Sequence, residues 1–455
     1  MNKLSVAVVG HANAGKTSLM RTLLRDSEFG EVADQAGTTR HVEGGALLID
    51  DSKRLALFDT PGLEDSIALL HILSEYFPGK DVDGIERLQH FLISLDEYPE
   101  LQQEAKVLRT LLSNDLIFYV IDLREPILGK YHDELKILSY AAKPVIPVLN
   151  FTQQGNDNIH LWKEQLARLN FHAFVSFDNV HFKFSDELKI YQKMQTLLSD
   201  KEQLLDELMT QRQSQWDKTF NSAKKLVANL LIEACAVRYQ TDNNEAAIVA
   251  QTALLQQSVR QVETTCVKQL LQLYQFRQND LQNNDLPVQQ GKWELDLFSA
   301  DNLQAFGITL GGHIAKGAGV GVAIDVAVGG ITLGAAALSG GVVGALWSVK
   351  QRYYDEIEAK IKGKRYLCVD DATLQVLWLR QLQLLATLQQ RGHASFDKIT
   401  LQNDNEINVD NLPKKWNSYL RKCRSHPQWS SLNKGHRFTD SSKRETLLLS
   451  LISEI

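Results

Sequence analysis

Three short groups of residues have types and an order suited to chemistry on a polyphosphate. The first is Gly10-His11-Ala12-Asn13-Ala14-Gly15-Lys16-Thr17, the spacing GxxxxGK[ST], followed by Ser18. Backbone N–H groups of such a loop, with a helix N-terminus behind them, ring bound phosphates with partial positive charge. Lys16 then reaches the outer phosphates, and the Thr17 hydroxyl is a hard oxygen ligand for Mg2+. The second group is Asp59-Thr60-Pro61-Gly62. An aspartate at a strand end beside such a loop holds Mg2+ through water, and Gly62 lets its backbone N–H approach the terminal phosphate. Taken alone, Pro-Gly is also ordinary turn chemistry. The third, Gly37-Thr38-Thr39-Arg40-His41, lies between them. Thr39 can close the Mg2+ shell with its hydroxyl and sense the terminal phosphate with its backbone; the bland alternative is a polar surface loop. The order of the three assigns Lys16, Thr39 and Gly62 to catalysis, Thr17, Thr39 and Asp59 to Mg2+, and residues 10–18 with Thr38, Asp59 and Gly62 to the nucleotide.

These groups need strands to hold them. Residues 4–9 form a short apolar run, of a length and type suited to a buried parallel strand, and a helical stretch, 16–25, follows the glycine loop. Residues 47–49 and 55–58 read as a strand pair turning at 50–53. Residues 116–122 and 145–149 are two more buried-type strands, and 174–175 opens a sixth. Strands alternating with helices predict a doubly wound, mostly parallel α/β sheet, a P-loop NTPase domain over residues 1–185, with its ligand at the carboxyl ends of the strands. Between about 65 and 113 helical spacing (Leu69, Leu73, Phe77; Leu88, Phe91, Leu95; Leu101, Leu108, Leu112) exceeds what that core needs and reads as an insertion.

From about residue 186 to 455 strand signals vanish. Leucine stripes at helical spacing (Leu204, Leu205, Leu208; Leu255, Val259, Val262, Cys266; Leu377, Leu384, Leu388) predict a mostly α-helical second domain, with a polar linker at 279–292. Residues 306–349 are dominated by Gly, Ala, Val, Ile and Leu with recurring Gly-xxx-Gly spacing, and are expected to form a helical hairpin turning near Asp325. That hairpin has two readings: buried packing or reversible membrane contact, or insertion in a bilayer, where a charge at Asp325 would cost about 2.5–3.5 kcal/mol at the centre. Arg421, Lys422, Arg424 and His426, with Trp416, Tyr419 and Trp429, form a basic and aromatic cluster. It could meet RNA, but it reads better as the end of an amphipathic helix, so a nucleic-acid partner is not expected.

Bulk properties bound the rest. The chain has 455 residues, 44% apolar and 23% charged, which as a soft prior means two or three domains with real cores. A net charge of −6 gives no global pull toward nucleic acid or an anionic membrane. Four cysteines without CxxC spacing argue against a disulfide scaffold or structural zinc. The first residues lack a signal-peptide pattern, so a cytoplasmic protein is expected, with peripheral contact at the inner membrane left open.

The three phosphate motifs resemble those of the Era, TrmE and EngA group of translation-factor-class GTPases, through Gly10, Asn13, Gly15, Lys16 and Thr17, then Thr38, Thr39 and Arg40, then Asp59, Pro61 and Gly62. The whole chain also resembles bacterial proteins in which such a domain precedes a C-terminal domain of unknown function, through GHANAGKTSLMRTL and FGEVADQAGTTRHVE. The resemblance implies GTP hydrolysis with Mg2+ in a nucleotide-dependent switch read by a protein partner, and a homodimer through the GTPase domain. It further implies K+ at Asn13, although Asn13 could equally serve the loop's conformation. Leu63 stands where many GTPases position water with glutamine, so slow turnover, or water held by Glu64 or Asp65, is expected. Guanine is usually read by NKxD after the fifth core strand. Here Asn150 survives in Asn150-Phe151-Thr152-Gln153, but the lysine and aspartate do not. Asp157 is four residues late, Phe151 could stack on a base, and Ser176 is a weak stand-in for the following loop. Rival classes are a membrane-associated scaffold or remodelling protein and a nucleotide-binding module with little turnover.

Overall fold

A computed structural model describes residues 3–26, 29, 43–49, 53–75, 82–154, 158–276, 288–289, 292–293, 296–299, 322–325, 364–390, 412–433 and 441–455. The apolar runs of the first part become parallel strands because both of their faces are covered. These are β1 (Lys3–Gly10), β3 (Arg54–Asp59), β4 (Leu116–Asp122), β5 (Val145–Asn150) and β6 (Val175–Ser176); β2 (Glu43–Leu48) joins antiparallel to β3 at one edge. The six-stranded order is β2-β3-β1-β4-β5-β6, so β1 lies in the middle and its carboxyl end opens between β3 and β4. Alternation along β1 divides its side chains. Ala7 and Val9 face one hydrophobic layer, and Leu4, Val6 and Val8 face the other.

The first layer holds the insertion, helices α2 (Ser66–Glu75), α3 (Gly84–Ile93) and α4 (Gln102–Ser113), together with α5 (Gly129–Tyr140) and α6 (Ile159–Arg168). Gly84 is required where α3 crosses α5, because a Cβ there would lie 2.7 Å from the Tyr140 Cα. The second layer holds α1 (Lys16–Leu24), α7 (Phe184–Leu197) and the start of α8 (Glu202–Ala236). A buried charge cluster joins these three. The fully buried Glu187 of α7 pairs with Arg25 at the end of α1 (2.7 Å) and with Arg212 of α8 (2.6 Å). Arg212 also donates to the Leu23 carbonyl (2.9 Å), and Arg25 lies over the Phe182 ring at 4.4 Å. Trp216 stacks on Phe184 at 4.8 Å.

The chain divides into two units, Met1–Asp217 with Gln389–Asp397, and Lys218–Leu388 with Lys398–Ile455. The second is mostly helical, with the remainder of α8, α9 (Glu245–Leu273), α10 (Asp371–Gln390), α11 (Trp416–Arg424) and α12 (Ser441–Ile452). The sequence reading missed its strands. β7 (Tyr239–Asp242), β10 (Val322–Asp325) and β11 (Lys364–Val369) form a small antiparallel sheet, and β8 (Val288–Gln289) pairs with β9 (Lys292–Trp293) in the expected linker. These strands are short and specified by their partners rather than by local alternation. One of them corrects the expected hairpin. Asp325 is not the turn between two helices but the end of β10, paired with Tyr366, where β-branched Val322 and Ile324 suit a pleated surface. The rest of residues 306–349 lies outside the described residues. No helix among the described residues is long and apolar enough to cross a membrane.

The basic and aromatic cluster resolves into core and cap. Trp416, Tyr419 and Trp429 are buried, Arg424 pairs with Asp371 and donates to the Val369 carbonyl, and the His426 ring stacks on Trp429 at 4.1 Å. The aromatics are therefore committed to packing. All four cysteines are free thiols.

Candidate functional site

The loop after β1 is shaped by three residues with left-handed backbone. Gly10 has φ +147°, and a Cβ there would lie 2.4 Å from the Val120 carbonyl oxygen. Gly15 has φ +94°, and a Cβ there would meet the Asn150 amide at 2.3 Å. Asn13 has φ +62°, a conformation asparagine tolerates better than most residues, which favours the conformational reading of that position. Helix α1 starts at Lys16 with neither a side-chain cap nor an acidic residue of its own in the first turn, so its free backbone N–H groups are available to an anion.

Lys16 is buried and donates to the carbonyls of Gly10 (3.1 Å) and His11 (2.8 Å), curling back over its own loop. Burial pushes its ammonium pKa down, against the opposing charges of Asp59 and Glu134. The Thr17 hydroxyl donates to Asp59 Oδ2 at 2.5 Å, and Asp59 is 1% exposed at the end of β3. Thr60 anchors the next turn by donating to the Val8 carbonyl (2.9 Å). Gly62 then passes against the first loop, and a Cβ on it would lie 2.9 Å from the Ala12 backbone nitrogen. Leu63 is buried in the core, so it neither faces solvent nor positions water. Asp65 caps α2 by accepting from Ala68 N (2.9 Å), whereas Glu64 is exposed. Thr38 and Thr39 lie outside the described residues.

Beneath the loop the structure adds groups that sequence spacing could not pair. His11 Nδ1 lies 3.3 Å from the carboxylate of Glu134 on α5, and Tyr119 of β4 donates to the same carboxylate at 2.7 Å. Glu134 is fully buried, and burial beside it raises the Tyr119 pKa well above its ordinary value. His11 Nε2 is 2.7 Å from Lys130 Nζ, while Ser66 at the start of α2 donates to the Lys130 carbonyl. The first turn of α5 thus touches both the phosphate loop and the segment after Gly62.

At the other side, Asn150 is fully buried, and its amide ties three loops together. Its Nδ2 donates to the Ala14 carbonyl (3.0 Å), and its Oδ1 accepts from Phe151 N and Asn179 N. Asn179 in turn donates to the Gly15 carbonyl at 3.0 Å. Ser176, a weak stand-in for the following loop in the sequence, pairs in β6 with Leu149, and it is Asn179 beyond it that bonds to Asn150 and Gly15. Asp178 and Asn179 were missed because their partners sit in other loops. Phe151 has φ +56°, with the Arg124 guanidinium 3.6 Å from its ring centre. Asp157 lies outside the described residues.

Comparison with known proteins bears on this geometry at two levels. Residues 163–453 match the family described as "Domain of unknown function (DUF3482)". The chain belongs to that family. Residues 5–151 match the family described as "50S ribosome-binding GTPase", so the loops described above lie in a GTPase domain. Among curated relatives, GTPase Der of Bordetella petrii is 29% identical over 161 residues, covering 32% of this chain and 35% of that protein. The tRNA modification GTPase MnmE of Helicobacter pylori is 30% identical over 146 residues, covering 32% of this chain and 26% of that protein. The chain thus spans about a third or less of these relatives. Among solved structures, Era in complex with MgGDPNP and nucleotides of 16S ribosomal RNA is 22% identical, with a TM-score of 0.32, covering 43% of this chain and 57% of that one.

Proposed function

We propose that this protein hydrolyses GTP to GDP and phosphate and acts as a nucleotide-dependent switch. The observation that carries the reading is the convergence of Lys16, Thr17 and Asp59 where β1 and β3 end, at the uncapped start of α1. The hydroxyl–carboxylate pair of Thr17 and Asp59 is a hard-oxygen donor set that fits Mg2+, with Thr39 as a third proposed ligand. When bound, Mg2+ would offset charge on the outer phosphates. Lys16 exchanges two carbonyl contacts for phosphate oxygens, and the anion reverses the cost of burying its ammonium. Backbone N–H groups of residues 10–18 hold the inner phosphates, and Gly62 brings its N–H to the terminal one. Leu63 supplies no polar group, so turnover is slow unless another group orients water. K+ at Asn13, a homodimer through the GTPase domain, an unidentified protein partner, and a cytoplasmic location with peripheral membrane contact complete the reading.

The test is phosphate release from GTP and from ATP, with Mg2+, in KCl and NaCl at matched ionic strength. Turnover of GTP that is lost in Lys16→Ala supports the hydrolase, and stimulation by K+ over Na+ supports the ion at Asn13. Tight GTP binding without phosphate release would instead favour the nucleotide-binding module.

A further inference from the structure

Lys130 sits where its own helix does not favour it. It lies in the first turn of α5, which carries no acidic residue and whose cap, Leu128, lends no side chain to the free N–H groups. A cation at that end opposes the helix dipole, and a residue set against its local preference marks a place where another demand prevails. Its contacts show the demand. Lys130 Nζ lies 2.7 Å from His11 Nε2, and the Lys130 carbonyl accepts from the Ser66 hydroxyl at 3.3 Å.

An ammonium has only hydrogens to give, so Nε2 meets it with its lone pair and the ring proton sits on Nδ1. Nδ1 lies 3.3 Å from the carboxylate of Glu134, one turn further along α5. The same helix therefore holds the His11 ring from both sides, with a donor at one nitrogen and an acceptor beside the other. Glu134 is itself fixed by the Tyr119 hydroxyl. Packing does less to seat the phosphate loop here, because a cavity lined by His11, Ala12, Ala14, Tyr119, Tyr131 and Trp162 lies against it. The other end of the connection is short. Ser66 is buried and opens α2 soon after Gly62, which in turn passes against the Ala12 backbone nitrogen. The neighbouring hold on this segment, from Asp65 N to the buried Glu104 (3.0 Å), reaches α4 and not the phosphate loop.

Resting on the reading of this site as a GTPase, we propose that Lys130 is a positioning residue that makes the start of α2 follow the phosphate loop. Its ammonium grips His11, its carbonyl holds Ser66, and the Gly62 turn is carried between them. Phosphates filling the loop then fix the turn whose N–H is proposed to meet the terminal phosphate. A cation that merely attracted phosphate would strengthen GDP and GTP binding alike; a strut of this kind acts on the rate.

The experiment uses the full chain with Mg2+, as wild type, Lys130→Met, Lys130→Arg, His11→Leu and the double variant His11→Leu with Lys130→Met. Methionine keeps an apolar stem and removes the donor, whereas arginine keeps a donor for Nε2. Phosphate release from GTP, fluorescent GDP titration and amide hydrogen exchange at residues 66–70, with GDP or a non-hydrolysable GTP analogue, are the readouts. The expected result is kcat lowered roughly tenfold in Lys130→Met with GDP affinity within about threefold of wild type. Lys130→Arg should recover the rate, and adding Lys130→Met to His11→Leu should cost nothing further, since both act through one contact. The GTP analogue should slow exchange at the start of α2 in the wild type and in Lys130→Arg, but not in Lys130→Met. Wild-type kcat in a folded Lys130→Met protein overturns the proposal. So does an equal weakening of GDP and GTP with kcat unchanged, the mark of a charge acting at a distance, or an exchange response in Lys130→Met equal to that of the wild type. If the wild type binds nucleotide and releases no phosphate, the hydrolase reading alone has failed, and the exchange comparison still decides the role of Lys130.

Discussion

Gly62→Ala tests how tightly the two phosphate loops are fitted. Gly62 does not need unusual backbone angles; it needs space. An added Cβ would lie 2.9 Å from Ala12 N, 3.3 Å from Ala12 Cα and 3.4 Å from the His11 carbonyl carbon. All three are backbone atoms, so no side-chain rotation relieves the clash. Either the loop after Asp59 or the phosphate loop must move by a few tenths of an ångström or more. Overpacking of this kind costs about 1–3 kcal/mol, and the phosphate loop is fixed from below by the Gly10–Val120 approach and by Asn150 on Ala14. The yielding element is therefore the Gly62 turn, which carries the N–H proposed to meet the terminal phosphate. Displacing a positioning group on the scale of 1 Å costs about a hundredfold in rate. The shift here is smaller, so the expected outcome is kcat for GTP lowered on the order of tenfold, with GDP affinity nearly unchanged. Steady-state phosphate release and fluorescent GDP titration measure the two quantities. A folded Gly62→Ala protein with wild-type kcat would refute the reasoning, because the turn would then not govern the reacting end.

Other perturbations probe separate groups. Lys16→Ala should leave circular dichroism unchanged and lower GTP affinity by at least about a hundredfold, since a charge-assisted contact to phosphate is lost; retained affinity by calorimetry would contradict the site. Glu134→Leu removes the acceptor of Tyr119 and the neighbour of His11, so a stability loss of about 1–3 kcal/mol is expected in urea unfolding, together with a change in KM if His11 sets the loop. Arg212→Leu leaves the buried Glu187 with Arg25 as its remaining cationic partner. A loss approaching about 3 kcal/mol is expected, at the lower end for breaking a buried pair, and a loss below half of that would show the cluster to be dispensable. Asp178, whose folded pKa is depressed because burial is outweighed by hydrogen bonds from His181 and Val180, contributes stability that is fully present above its unfolded pKa of about 3.9 and is lost as pH falls through the folded value. The stability gap between wild type and Asp178→Asn should thus be constant from pH 5 to 7 and close at more acid pH; a gap that widens on acidification would reverse the sign.

The phosphate half of the site was legible because local geometry dictates it. Gly10 and Gly15 must be glycine for their backbone, and Lys16 opens a helix where one was expected. The parallel strands were legible for the same local reason, a buried run ending in a loop. What escaped depends on distant partners. Glu134 reads as an unremarkable residue of an amphipathic helix until β4 and the phosphate loop close around it. Asp178 is one carboxylate among many until Thr152 and Gln153 are brought to it. The strands of the second unit escaped too, because four residues such as Tyr239–Asp242 carry too little alternation to announce a sheet. The glycine-rich stretch misled through composition, since Val322–Asp325 sits inside it and pairs as a strand.

The cluster around Glu187 has a consequence for how little of this chain can stand alone. Every phosphate motif lies before residue 63, and the last strand of the sheet ends at Ser176. Yet α1, the helix that starts at the phosphate loop, is finished by residues that come much later. Arg212 satisfies the Leu23 carbonyl, and Leu204, Leu205 and Leu208 complete the layer over Leu19 and Leu23. A fragment cut at residue 185 would lose Glu187 and Arg212 together, strand Arg25 without its anion, and uncover one side of the sheet. Limited proteolysis should accordingly spare the chain between 177 and 217, and an autonomous nucleotide-binding fragment should need its C-terminal end beyond Trp216, well past every residue proposed to meet the nucleotide.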